Sequence, residues 1–313
     1  MRKVISIRKA YGQTLADYGA ENPDVVVVVA DVTSSTQTGF FEKRFPERFF
    51  NVGIMEQALI DVSAGLALGG MIPFANTFAV LYLRAAEQVR TCIAYANVNV
   101  KMVGAYCGLS NFKDGPTHHV ECDTALMRSM PNVTVIEPAD AVEVSKFIPK
   151  IAEHKGPIYL RLTRAEVPVL FDEDYEPEIG RGIILRDGSD VALVASGVMV
   201  SRCMDAADEL KNLGIDAYVV NMSTIKPLDE KLVWRLSEET GAIVTAEDHS
   251  IIGGLGGAVA EALGKGKPAV LERIGIRDTF TETSLSYEEL LDQYGMSVKD
   301  IVEAAKRAVK RRE

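Results

Sequence analysis

The chain has 313 residues, 47% of them hydrophobic, and a formal net charge of -10. That length and apolar content suffice for two packed domains. An acidic surface of this kind repels nucleic acid and anionic membranes, so neither is expected as a partner. The four cysteines, Cys92, Cys107, Cys122 and Cys203, form no CxxC pair and signal neither a zinc site nor a disulfide framework. Most read as small buried hydrophobes of a reducing compartment. The first residues hold no apolar core of signal-peptide length, and no apolar run spans a bilayer, so a cytoplasmic location is expected.

In chain order, a helical stretch ends at Pro23 and is followed by "DVVVVVADV" (24 to 32). A continuous β-branched run suits a strand covered on both faces, as in a parallel sheet. Further strands are expected at 48 to 53, 100 to 106, 133 to 138 and 157 to 162. Helices are expected at 54 to 68, 80 to 95 and 140 to 153. This alternation predicts an open α/β sheet. Residues 166 to 188 are acidic and carry Pro and Gly, which reads as a linker. A second alternation follows, with strands at 190 to 197, 216 to 222, 242 to 248 and 268 to 275 and a closing helix at 298 to 311. Two α/β domains are therefore predicted, 1 to 165 and 189 to 313. The glycine-rich "GGLGGAVAEAL" (253 to 263) opens a helix that could seat an anion, but close helix packing is the better reading of those glycines.

"NVGIMEQALIDVSAGLALGG" (51 to 70) places Glu56 where a strand gives way to a helix. Met55, Ala58, Leu59, Val62 and Leu66 mark one helical face, and small Ser63, Ala64, Gly65 and Ala67 admit a close neighbour. An acid in the first turn gains ~0.3–1 kcal/mol from the helix dipole, so capping alone would account for it.

The pattern G-I-x-E-Q followed by a small-residue helix resembles the pyrimidine-binding domain of thiamine diphosphate enzymes. The resemblance implies that Glu56 hydrogen-bonds the cofactor's pyrimidine N1′ and favours its 4′-imino form. That role asks for a carboxyl able to keep its proton in a dry, interfacial setting. "PFANTFAVLYLRAAEQVR" (73 to 90) and "AYCGLSNFKDGPTHHVECDTALMRSMPNVTVIEPAD" (105 to 140) are similar to transketolase segments, the second through its D-G-P-T-H motif. On that basis Asp31, Ile54, Glu56, Phe78 and Leu81 are expected at the cofactor. Arg8, Ser35, Tyr106, Asp114, His118 and Arg164 are expected at a sugar phosphate, with Arg8, Ser35 and Arg164 as its phosphate clamp. Glu56 and His118 are the expected catalytic pair, and no metal ligand is expected in this chain.

The resemblance runs through the second domain, by "KPLD" (226 to 229) and "EDHSIIGGLGGAV" (247 to 259). The family's G-D-G motif, which anchors Mg²⁺ and the diphosphate, does not occur in the sequence. The chain is thus similar to the C-terminal subunit of a split transketolase. The expected partner is an N-terminal subunit in an α2β2 heterotetramer, which would hold most of the thiamine diphosphate and Mg²⁺ contacts. The implied reaction moves a two-carbon ketol unit between sugar phosphates of the pentose phosphate pathway. The alternatives are a 2-oxo-acid dehydrogenase-like subunit, a transketolase of non-standard sugar preference and a non-catalytic partner that retains the fold. Tyr106 stands where the family usually has His, and Asn111 and Phe112 replace a Gly-x-Gly, so sugar preference is the property most open.

Overall fold

The computed structural model describes residues 3–312. β1 (Val4–Ser6) pairs antiparallel with β8 (Glu166–Pro168) in a two-stranded ribbon. The first large sheet holds β2 (Val25–Val29), β3 (Phe49–Asn51), β4 (Ile72–Phe78), β5 (Lys101–Ala105), β6 (Thr134–Ile136), β7 (Ile158–Leu162) and β12 (Thr224–Lys226). Its order is β12-β6-β7-β5-β4-β2-β3, and every pair is parallel except β12 with β6. The second sheet holds β9 (Ile183–Arg186), β10 (Val191–Ala195), β11 (Ala217–Asn221), β13 (Ala242–Ser250) and β14 (Val270–Ile276), in the order β14-β13-β10-β11-β9. Only its edge strand β9 runs antiparallel.

Composition explains the central strands. All five valines of β2 are buried, as a strand covered by helices on both faces requires. The stretch 166 to 188 carries β8 and β9 at its two ends, so this acidic segment is anchored to both domains. Cys107 and Cys203 are buried and Cys92 is half-buried, while Cys122 is exposed.

Three local expectations shift. The helix Glu56–Leu68 turns Glu56, Leu59, Ile60, Ser63 and Ala64 inward, while Met55 and Val62 face outward. Inward residues follow the 3.6-residue period from Glu56, one step off the face expected from Met55. Residues 79 to 95 are not one α-helix: 3₁₀ turns at Ala79–Ala85 lead to a short α-turn and then π turns at Val89–Tyr95. The glycine-rich helix start is filled by the chain itself. Glu247 accepts from the Leu255 and Gly256 amides at 2.6 and 2.7 Å, and a Cβ on Gly254 would lie 1.9 Å from its Oε2.

Between the domains lies a buried polar core around Arg161. Its Nε and Nη2 reach Asp123 at 2.8 and 3.0 Å, and its Nη1 reaches Glu137 at 2.7 Å. From the second domain, the Asp248 carbonyl accepts from Arg161 at 3.1 Å and Ser196 donates to Glu137 at 2.7 Å. Burial alone would raise the Asp123 pKa, but Arg161 outweighs it and holds the carboxyl below its ordinary value. Removing one member of such a pair strands a buried charge, at about 3–5 kcal/mol.

Candidate active site

The register of the first sheet sets the site. Phe78, Ala105 and Leu162 stand in one row at the carboxyl ends of β4, β5 and β7. The residues just beyond those ends therefore gather: Tyr106 follows β5, and Arg164 lies two past β7. Asp31 follows β2 and Glu56 opens the helix after β3, so all converge on the edge where parallel sheets bind ligands. Asp31 and Tyr106 both take left-handed backbone, at φ 58° and 61°. A bulky residue such as Tyr pays about 1–2 kcal/mol there, which makes the sharp turn at Tyr106 a strained, specified feature.

Tyr106 is the centre of one cluster. Its hydroxyl accepts from Arg8 at 3.1 Å, and the Arg8 and Arg164 guanidinium carbons lie 4.6 and 5.1 Å from its ring centre. Phe78 packs on the same ring with centroids 4.6 Å apart. Arg8 also donates to the carbonyl of Ser35 and, at 3.3 Å, to the carbonyl of Arg164. Ser35 thus meets Arg8 through its backbone. Arg164 donates to Asn111 Oδ1 at 2.8 Å and stands 3.9 Å from Asp114. Burial lowers the Arg8 pKa first, and the nearby positive charge of Arg164 lowers it further. Two cations held this close are complementary to an anion.

Glu56 belongs to a second cluster. It is 4% exposed, its Oε1 is buried without a hydrogen-bond partner, and its Oε2 lies 3.8 Å from the exposed Arg84. A buried carboxyl oxygen left unpaired costs about 1–3 kcal/mol or more, so it calls for a hydrogen-bonding group on a ligand. Ile54 is 74% exposed beside it, and Leu81 is half-buried in the 3₁₀ segment. Asn51, absent from the sequence reading, ties Asp31 down: its Oδ1 accepts from the Asp31 amide at 3.1 Å and its Nδ2 donates to the Asp31 carboxylate at 3.2 Å. Asp31, Thr33, Ser34, Gln37, Phe40 and Lys43 line a cavity of about 470 Å³.

The loop 106 to 119 carries the remaining candidates. His118 is half-buried, with Nδ1 3.0 Å from the Thr117 hydroxyl, and Asp114 is exposed toward Arg164. His119 is different: it is buried, with Nδ1 2.7 Å from Thr281 Oγ1 and Nε2 3.1 Å from the Asn111 carbonyl. Asn111, Asn51 and Arg84 complete the site and were not singled out as its members from the sequence. Their contacts are with residues 20 or more positions away, or with a turn no periodicity marks.

An arginine pair on an aromatic post and a buried carboxyl with one oxygen unpartnered, both at the carboxyl edge of a parallel sheet, suit a thiamine diphosphate-type domain. Residues 3–169 match the family of transketolase pyrimidine-binding domains, and residues 180–301 match the transketolase C-terminal domain. The chain belongs to the transketolase family and corresponds to the C-terminal subunit of its split form. It is 43% identical over 299 residues to a putative transketolase C-terminal section of Methanocaldococcus jannaschii, covering 94% of this chain and 93% of that one. It is 40% identical over 307 residues to a 6-deoxy-6-sulfo-D-fructose transketolase subunit of a Clostridium species (strain MSTE9), covering 98% and 95%. A solved split-gene transketolase, described as an inactive beta4 tetramer, superposes with a TM-score of 0.91 at 44% identity, covering 99% of this chain and 100% of that one.

Transketolases as a family use thiamine diphosphate and a divalent metal. The residues here fit the pyrimidine end of that cofactor, on the evidence of the orphaned Glu56 Oε1 and the apolar wall begun by Phe78.

Proposed function

We propose that this chain, joined to an N-terminal subunit, transfers a two-carbon ketol unit from a ketose phosphate to an aldose phosphate. The observation that carries this reading is the convergence of Arg8 and Arg164 on Tyr106, next to Asp114. Two arginines with fork geometry suit a phosphate, and the adjacent carboxylate suits a sugar hydroxyl. A short 2-oxo acid such as pyruvate could offer its carboxylate to the arginines but has no hydroxyl for Asp114.

Glu56 Oε1 bonds a ring nitrogen of the pyrimidine, Phe78 and Leu81 exclude water from its face, and Asp31 stands at the neighbouring edge. Bound thiamine diphosphate supplies the carbon nucleophile that carries the ketol unit. His118 contacts hydroxyls near the reacting carbon, and Asp114 reads a hydroxyl between that carbon and the phosphate. Arg8 and Arg164 hold the phosphate itself, with Ser35 beside them. Fixing both ends of the sugar is how such a site converts binding into orientation.

The diphosphate and Mg²⁺ fall to the partner, since this chain has no G-D-G motif. Exposed apolar residues beside Glu56 support a covering subunit: Ile54 and Met55 are 74 and 59% exposed. The inactive tetramer described for the related split enzyme supports self-association of the lone chain and a need for the partner. An α2β2 assembly meets both requirements. A relative that acts on a sulfo-sugar favours a wider donor range, because a sulfonate offers the same anionic oxygens to two arginines as a phosphate does.

The test is reconstitution with the N-terminal partner, followed by assay on ketose phosphates, a sulfo-ketose and 2-oxo acids. Ketol transfer only in the mixture is the expected result. Turnover of 2-oxo acids without a ketol group, such as pyruvate, in place of sugars, or full turnover by the single chain, would overturn the proposal.

A further inference from the structure

The loop 106 to 119 is held from outside its own domain. Leu109 donates its amide to both carboxylate oxygens of Asp248, each at 3.1 Å, and the Tyr287 hydroxyl donates to Asp248 Oδ2 at 2.6 Å. The approach is so close that a Cβ on Gly108, at φ 57°, would lie 2.0 Å from Asp248 Oδ2. Further along, the Ser284 amide donates to the Phe112 carbonyl at 3.0 Å. A Cβ on Gly115, at φ 77°, would meet Thr283 at 2.3 Å. The third attachment is His119 to Thr281.

The His119 contact has a defined polarity. The Asn111 carbonyl can only accept, so Nε2 carries the ring proton. Burial lowers the His119 pKa, so the ring is neutral and Nδ1 is an acceptor. The Thr281 hydroxyl therefore donates to Nδ1. One imidazole links Thr281 of the second domain to Asn111, and Asn111 in turn holds Arg164 at 2.8 Å. Asp114 and His118 sit in the turn between the two ends of that link, with the Asp114 and His118 amides bonded to Asn111 and Gly115 at 3.1 and 2.8 Å.

We propose that Thr281 and Asp248 are positioning residues for the substrate loop. Through His119 and Leu109 they fix where Asp114, His118 and Arg164 stand, so the second domain governs the fit of the sugar although it contributes no group to it. This proposal rests on the sugar-phosphate reading above for its kinetic consequence, but not for its structural one.

The decisive variants are Thr281→Val, which keeps the shape and removes the donor, and Thr281→Ser, which keeps the donor. Hydrogen exchange on the full chain reads the loop without any substrate. Amides from Asp114 to His119 should exchange about tenfold faster or more in Thr281→Val, with the sheets unchanged and Thr281→Ser close to wild type. In the reconstituted complex, KM for sugar phosphates should rise about tenfold in Thr281→Val while kcat stays within about threefold. Tyr287→Phe, which removes the hydroxyl that orients Asp248 toward Leu109, is the second variant and is judged by the same readouts. Unchanged exchange in the loop overturns the proposal, as does a fall in kcat with KM unmoved. If no sugar phosphate is turned over by any form, the functional reading fails, and the exchange data still decide the positioning role.

Discussion

The Arg8 guanidinium donates to the Tyr106 hydroxyl at 3.1 Å and lies 4.6 Å from the centre of the same ring. The phenol therefore serves both arginines as a post, with Phe78 packed on the same ring. Tyr106→Phe removes the hydroxyl and leaves the ring. Arg8 then loses one fixed direction, so KM for phosphorylated sugars is expected to rise about three- to tenfold, in the range of one ordinary hydrogen bond. An unphosphorylated donor should be little affected. A KM that moves equally for both donors would place the hydroxyl's effect elsewhere.

Arg8→Ala and Arg164→Ala test the clamp directly. Each removes a charge-assisted contact worth roughly 1.5–3 kcal/mol, so KM for sugar phosphates should rise about tenfold or more. Hydroxypyruvate, which has no phosphate, is the comparison. Equal losses on both donors would make the arginines structural. Arg164→Ala carries a second signature, because it also frees Asn111 Oδ1 from its 2.8 Å bond.

Glu56→Gln separates chemistry from helix capping. The helix Glu56–Leu68 has no side-chain N-cap, and Glu56 is the acid of its first turn. If capping were its task, the change would cost under about 1 kcal/mol and show only as a lower Tm. The expectation is instead a fall in kcat of about 100-fold or more, as for loss of a general acid–base group, with Tm little changed. Steady-state rates and a melting curve on the same sample decide it.

His249 gives the fold one acid-sensitive contribution. It is buried, its Nδ1 faces the Ser250 carbonyl at 2.7 Å, and its Nε2 accepts from the Ala125 amide at 3.3 Å. Burial, with Arg161 close by, pushes its pKa down to about 4. The unfolded chain holds a proton on this residue below about 6.5, and the folded chain does not until about 4. Stability from the neutral ring is thus lost as pH falls through that window. Glu247 and Asp248, raised by burial to about 7 and about 6, act in the opposite sense. The readout is therefore a difference: His249→Gln should lose less Tm than wild type between pH 6.5 and 4.5. Parallel Tm profiles would rule the residue out as the source.

Much of this was legible in the sequence because the signals were local. The five valines of β2 declared a covered strand, and G-I-M-E-Q placed an acid at a strand-to-helix junction. What was not legible was long-range. Arg161 lies inside "YLRL", a run that reads as an apolar strand, and its charge is tolerated only because Asp123 and Glu137 arrive from elsewhere. His119 follows His118 in the sequence, and no local pattern sets the two apart. Its burial depends on Thr281, 162 residues away. Ser35 was read for its hydroxyl, yet it is its carbonyl that Arg8 meets, which no sequence pattern encodes.

β12 leaves its own domain to close the edge of the first sheet against β6. Cutting the chain between its domains would bare the backbone of β6 as an open pairing edge, the usual starting point for aggregation. It would also leave Arg161 without the Asp248 carbonyl and Glu137 without the Ser196 hydroxyl. The two halves are consequently one structural unit. A break between them is expected to leave the first half prone to aggregate through its bared edge, read as loss of soluble protein when it is produced alone.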